Sequence, residues 1–392
     1  MSILHANIDI MIPKLNRILA NILNSSSKSI LLLGPRQVGK STLIQTLKPD
    51  LSINLSDEST YIEFASNPDE IHQRLSGNSY NTVFIDEIQR LPSLLNTIQV
   101  ILDEKKSVTK FYLTGSSARK LKRGHANLLP GRIFSYQLGP LCTAELNYKL
   151  DVVKALSLGT LPEPYLMQQK QEAEKLLLTY SGVYLKEEIQ AEALTRSLEG
   201  FSRFINAAAN SSGQILDFSK IAKQAKIERK ICSRFYEILE DTLIVHKLEV
   251  YEKTSADIKK RPKFYFFDSG VLNGLLKNFT ISNERKGILF EHLVINQVIA
   301  SAKARDYELK LSYFRTRSGY EVDLIIEIKN KTYAVEIKSG VVDSGDAKKL
   351  ERFLEFQDNL SGLFLVCLKS PVKKIGQVKI CELSQFIKEL GL

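Results

Sequence analysis

A chain of 392 residues with 44% hydrophobic and 25% charged positions is longer than one hydrophobic core usually serves, so it is expected to fold as two or three domains. The composition excludes a disordered or low-complexity protein, and no apolar run approaches the ~18 residues of a membrane span, so no membrane contact and a cytoplasmic location are expected. The formal net charge of +10 raises the prospect of a polyanionic partner, DNA or RNA, with basic residues concentrated at 119–123, 220–234 and 259–263.

In chain order, the first informative element is Ser29–Leu33, an apolar run of strand length that leads into Gly34, Pro35, Arg36, Gln37, Val38, Gly39, Lys40 and Ser41. This segment fits the phosphate-binding pattern G-x-x-x-x-G-K-[ST], and a helix is expected from Thr42 onward. Glycines let consecutive backbone N–H groups turn inward onto phosphates, and the following helix N-terminus adds positive potential. Lys40 is expected on the β- and γ-phosphates and Ser41 on a bound Mg2+, which makes ATP and Mg2+ the expected cofactors.

Thr82–Asp86 is a second apolar strand, ending in the acids Asp86 and Glu87, and it resembles a Walker B strand. In that reading Asp86 holds Mg2+ and Glu87 orients the attacking water. A third strand from Lys110 ends in Thr114, Gly115 and Ser116, and resembles the sensor strand that lies between the other two in AAA+ ATPases. Thr114 or Ser116 is then expected near the γ-phosphate. Gly131 and Arg132 follow, then a strand over 133–138.

Together with Gly159, Thr160, Leu161, Pro162 and Glu163, these motifs resemble a widespread prokaryotic family of AAA+-like ATPases that carries a C-terminal domain of unknown function. The resemblance covers nearly the whole chain and implies ATP hydrolysis, a homo-oligomer, and Arg132 as γ-phosphate sensor or intersubunit finger, with Arg119 and Arg123 as rivals. Thr160 departs from the pattern, which has a second glycine there. Cys142, Cys232, Cys367 and Cys381 form no C-x-x-C pair and read as reduced packing residues.

The expected architecture is α/β: a P-loop AAA+-like ATPase domain over 1–147, a helical lid and winged-helix-like region over 148–280, and an endonuclease-like α/β domain over 281–392. Leu156, Leu176, Leu177, Tyr180, Tyr184 and Leu185 recur at helical spacing in the lid. Further on, Asp217 or Ser219 caps a helix, Lys230–Glu240 forms the next, and strands follow over 244–251 and 263–267. Lys230 and Arg234 are candidates for a DNA groove, opposed by Glu237, Glu240 and Asp241 at the end of the same helix.

The last segment contains Glu291 on a helix, then Glu321 and Asp323, then Glu336 and Lys338. This set resembles the metal-binding core of PD-(D/E)xK restriction-endonuclease-like folds, which implies a second metal site on Glu291, Asp323 and Glu336 with Lys338 beside it. Residues 320–328 and 331–338 alternate with period two around Lys329-Asn330, a two-residue hairpin loop, so Asp323 should face Glu336 and Glu321 should face Lys338. The preferred function is an ATP-driven switch or motor whose basic C-terminal half engages nucleic acid or a protein client. The alternative is an ATP-gated, metal-dependent nuclease.

Overall fold

The computed structural model describes residues 15–104, 109–116, 129–184, 198–252 and 261–392. Arg119, Arg123, Leu185 and the basic residues at 259 and 260 lie outside the described residues. Strands β1 (Ser29–Leu33), β2 (Leu51–Asn54), β3 (Thr82–Asp86), β4 (Lys110–Gly115) and β5 (Ile133–Gln137) form a parallel sheet in the order β2-β3-β4-β1-β5. A parallel sheet is covered on both faces, so its strands are apolar throughout. Along β1, Ile30 and Leu32 enter one core with Phe84 and Tyr112, while Leu31 and Leu33 enter another with Val83, Ile85, Phe111 and Leu113.

Helices α1 (Leu19–Ser25), α2 (Lys40–Thr46), α3 (Glu58–Ser66), α4 (Glu70–Gly77) and α5 (Leu94–Asp103) accompany this sheet. Helix α5 buries Leu94, Leu95, Ile98 and Ile101 in the second core. Because β4 lies between β1 and β3, the carboxyl ends of all three meet at one edge, and the sheet delivers the glycine loop and the acids there together.

The middle of the chain begins with α6 (Val152–Leu158), α7 (Pro162–Leu166) and α8 (Lys170–Thr179), and Leu156, Leu177 and Tyr180 are buried as their spacing predicts. It continues with α9 (Leu198–Asn210), α10 (Phe218–Ala225), α11 (Arg229–Asp241) and the antiparallel strands β6 (Val245–Val250) and β7 (Lys263–Phe266). Asp217 caps α10 by accepting from the amides of Ser219 and Lys220.

Then follow α12 (Ser269–Leu276), α13 (Asn283–Ala304), β8 (Leu309–Arg315), β9 (Glu321–Ile328), β10 (Lys331–Lys338), α14 (Ser344–Glu351), β11 (Gly362–Cys367), β12 (Lys373–Ile375), β13 (Val378–Glu382) and α15 (Leu383–Glu389). The second sheet has eight strands in the order β12-β13-β11-β10-β9-β8-β6-β7. The β6–β7 hairpin is therefore not a free-standing wing. Glu249 and Val250 pair in parallel with Ser312 and Tyr313, and the sheet crosses the boundary expected at 280/281.

The β9–β10 register agrees with the alternation in the sequence. Lys329 and Asn330 have φ of 49° and 60°, the double left-handed turn that fixes a two-residue hairpin, and Val335 pairs with Leu324. Continuing that register sets Glu336 opposite Asp323 and Lys338 opposite Glu321. All four cysteines are free and buried. Among the described residues, no helix is long and apolar enough to cross a membrane.

Candidate functional site

The glycine loop is shaped by left-handed backbone at Gln37 (φ 62°) and Gly39 (φ 90°). Gly34 is required by a close approach: a Cβ there would stand 2.3 Å from the Leu138 carbonyl oxygen, just past β5. Lys40 is buried, and its ammonium donates to the carbonyls of Gly34 and Pro35 at 2.9 Å each.

A residue with no motif signal braces this loop. Arg17 donates to the Val38 carbonyl at 2.7 Å, to the Gly139 carbonyl at 2.8 Å and to Glu145 at 2.9 Å. The Arg17 and Glu145 side chains are 8% and 0% exposed, so the pair is shielded from water. Nothing in the local sequence marks an arginine ahead of a short helix as a loop brace.

Two adjoining hollows flank the loop. The smaller, about 380 Å³, is lined by Gln37, Gly39, Lys40, Ser41, Ser56 and Glu87, among others. The larger, about 660 Å³, shares Gln37, Gly39 and Thr42 with it and adds Leu15, Ile18, Asn21, Leu43, Leu141, Glu163 and Leu166. One hollow is lined mainly by polar residues; the other has aliphatic walls with a few polar groups, including Asn21 and Glu163.

Asp86, Glu87, Thr114 and Ser116 come together at the same edge of the sheet. The Thr114 hydroxyl donates to the Asp86 carboxylate and accepts from the Glu87 amide at 3.2 Å. Glu87 has φ 58° and ψ 44°, a left-handed conformation that costs a residue with a Cβ about 1–2 kcal/mol. Gln89 holds it there: its side-chain amide donates to the Glu87 carboxylate and to Ser116 Oγ, the latter at 3.2 Å. No motif marks Gln89 in the sequence, and only its burial beside Ile88 in the structure reveals it.

Arg132 stands elsewhere. It forms a two-pronged ion pair with Asp103 at 2.5 and 2.8 Å, and the adjacent Ile133 pairs with Ser29 at the end of the sheet opposite the loop. Five residues of extended strand span ~17 Å, so within one chain Arg132 does not reach Lys40. The expectation of an internal γ-phosphate sensor is corrected by this placement.

The departure at Thr160 is accommodated. Only Gly159 has a left-handed φ (71°), and a Cβ there would stand 1.9 Å from Asp268 Oδ1, so one glycine suffices. The Thr160 amide donates to Asp268 Oδ2 at 2.6 Å, and Asp268 also caps α12 through the Val271 amide. Burial pushes the Asp268 carboxyl up to about 6 against the pull of these backbone donors.

The C-terminal acids lie close to one another, each of Glu291, Glu321 and Glu336 with cationic or hydroxyl partners. Lys263, from β7, lies between Glu321 at 2.8 Å and Glu291 at 3.6 Å, over the ring of Tyr313. Tyr265 donates to Glu291 at 2.5 Å, and Arg315 pairs with Glu321 at 2.8 Å. Lys338 and Lys349 both reach Glu336 Oε1 at 3.0 Å. Burial first, then Glu336 and Glu291, push the Asp323 carboxyl up to about 8.

Burial pulls Lys263 down, but Glu291 and Glu321 together hold it above the ordinary lysine value. Among the described residues, no group of three or more His, Cys, Asp or Glu side chains is placed to hold a metal ion. The metal role expected of Glu291, Asp323 and Glu336 therefore rests on the resemblance alone. Lys263 of β7 and Lys349 of α14 bring positive charge to Glu291, Glu321 and Glu336, joined by Lys338 of β10 itself.

This arrangement carries its own expected result. Mn2+ added to the full chain without nucleotide should leave its melting temperature unchanged, in the parent and in Asp323→Ala alike. A Mn2+-dependent rise that disappears in Asp323→Ala would reinstate a metal centre on these acids.

Comparison with known proteins agrees with the first sheet. Residues 26–147 match the family model of an AAA domain, residues 149–282 a domain of unknown function (DUF8612), and residues 286–386 another (DUF4143). The AAA match supports an ATP-binding P-loop ATPase of the AAA type. Over 314 residues the chain is 24% identical to an uncharacterized protein of Mycobacterium tuberculosis and to one of Mycobacterium bovis, spanning 79% of this chain and 70% of each relative.

Among solved structures, the replication initiator DnaA bound to AMPPCP and single-stranded DNA is 12% identical, with 57% of this chain and 86% of that chain covered and a TM-score of 0.28. A signal transduction ATPase with a tetratricopeptide repeat sensor from Pyrococcus horikoshii is 13% identical, with 73% and 47% covered and a TM-score of 0.22. Overlaps this slight carry no argument.

Proposed function

We propose that the chain is a Mg2+-dependent ATPase of the AAA+-like kind that works as a switch or motor, with the nucleotide held between the glycine loop and the lid. The observation that carries this reading is the meeting of Lys40, Ser41 and Glu87 around one polar hollow, with Asp86 fixed beside it through Thr114. Lys40 exchanges its two carbonyl partners for the β- and γ-phosphates. Ser41 and Asp86 supply oxygen donors of the type Mg2+ prefers, and the ion screens phosphate charge when bound. Glu87, held by Gln89, orients the attacking water, and Ser116 and Thr114 keep the two acids in place.

The larger hollow suits the base and ribose: aliphatic walls with a few fixed polar groups are the usual make-up of a small-molecule pocket. Arg132 acts in trans on a neighbouring copy, released from Asp103 at the subunit boundary. Light scattering with a non-hydrolysable ATP analogue that finds only monomer would remove that role. The domains are 1–147, 148–280 and 281–392, the last two sharing a sheet.

The exposed Lys220, Lys223, Arg229, Lys230 and Arg234 on α10 and α11 form a basic surface for nucleic acid or an acidic protein client. The alternative, a gated nuclease, has less support because lysines neutralise the C-terminal acids. The nucleotide reading is tested with a fluorescent ATP analogue. Binding should require Mg2+ for full strength and vanish in Lys40→Ala; undiminished binding in Lys40→Ala would refute the site.

A further inference from the structure

Away from the nucleotide cleft, a cavity of about 450 Å³ opens where the edge strand β5 faces β6 and the C-terminal end of α13. Its polar lining includes Gln137, His246, Lys303, Glu240 and Asp306. A water-sized chamber of about 10 Å³ adjoins it, bounded by Pro35 of the glycine loop and by Asn296, and His246 and Lys303 line both spaces.

Three side chains at this inner end carry polar atoms without partners. Neither Lys303 nor His246 makes a hydrogen bond or ion pair among the described residues. Asn296 is 6% exposed; its Nδ2 donates to the Phe266 carbonyl at 2.9 Å, and its Oδ1 is buried without a hydrogen-bond partner. Burial pulls the Lys303 amine down to about 8 with no carboxylate to offset it, and burial followed by Lys303 keeps His246 neutral. A third basic group, Lys247, is already paired with Glu249 at 2.5 Å.

Glu240 and Asp306 line only the larger space. The two basic groups without partners therefore line both spaces, while the acids line the larger one alone. An unpaired, partly buried ammonium is costly, and an oxyanion is the ligand that relieves it.

We propose that this cavity is a second ligand site, for a small metabolite with an oxyanion at one end and hydroxyl or amino groups at the other. The oxyanion accepts from Lys303 and a His246 N–H, a bound water bridges to Asn296, and the donor groups meet Glu240 and Asp306. Pro35 in the inner wall puts this ligand against the back of the glycine loop. The site stands independently of the nucleotide reading.

Inorganic phosphate is the probe, used on full-length Lys40→Ala so that the glycine loop does not answer, with acetate as a second arm to distinguish phosphate from carboxylate. At least one of these anions should raise the melting temperature saturably, and Lys303→Gln in the same background should raise the concentration needed at least ~tenfold, the loss of one charge-assisted hydrogen bond. A measurement that leaves residue 303 intact accompanies it: acetylation of Lys303 by N-hydroxysuccinimidyl acetate, mapped by peptide mass, should slow several-fold with the same anion. An equal anion response after Lys303→Gln, or acetylation of Lys303 at an unchanged rate, overturns the proposal.

Discussion

Glu87→Gln should bind ATP about as tightly as the parent and hydrolyse it at least ~100-fold more slowly, the lower end of what a positioned general base contributes. The carboxamide keeps the size of the side chain and an oxygen that accepts from Gln89, so the left-handed turn and the loop contacts persist. What disappears is the negative charge that polarises water. ATP binding by equilibrium dialysis and turnover by phosphate release separate the two effects. Turnover at the parent rate would remove Glu87 from the chemistry and leave its strained backbone without a function.

Arg17→Ala should cost about 3 kcal/mol of stability, the lower end for breaking a buried ion pair. The low end applies because Glu145 keeps the amides of Ile18 and Cys142 as donors at 3.1 Å each. The double variant Arg17→Ala/Glu145→Ala should recover part of that loss, since it leaves no unpaired carboxylate behind. ATP affinity should also fall, because the Val38 carbonyl loses the contact that holds the loop's curvature. Urea unfolding of the three variants beside the parent decides it. A loss under ~1 kcal/mol in Arg17→Ala, the value of an exposed pair, would show that the brace is incidental.

The legible parts of this protein are those in which neighbouring residues determine the structure. The glycine loop, the Asp86–Glu87 turn and the hydroxyl-ending strand β4 each announce themselves within one short segment, and the position of β4 between β1 and β3 follows once their likeness to a P-loop sheet is seen. The β9–β10 register is legible because a two-residue loop leaves the strands no freedom to slip. By contrast β2 (Leu51–Asn54) is short, with Ser52 and Asn54 exposed at the sheet edge, and carries no strand pattern of its own.

The roles of Arg17 and Lys263 depend on contacts between segments far apart in sequence. Arg17 finds its partners in the glycine loop and beyond β5, and Lys263 reaches the acids of α13 and β9. A sequence reading sees Glu291, Asp323, Glu336 and Lys338, without the Lys263 and Lys349 that distant segments bring among them. Arg132 illustrates the converse. Its position in sequence is right for a finger, but only the sheet direction shows which end of the domain it occupies.

The most direct test is phosphate release from ATP by the purified chain, with Mg2+ or with EDTA, beside Lys40→Ala prepared identically. Slow turnover that needs Mg2+ and is absent in Lys40→Ala is the predicted result. Phosphate release that is equal in Lys40→Ala, or that persists in EDTA, would contradict an ATPase centred on this loop.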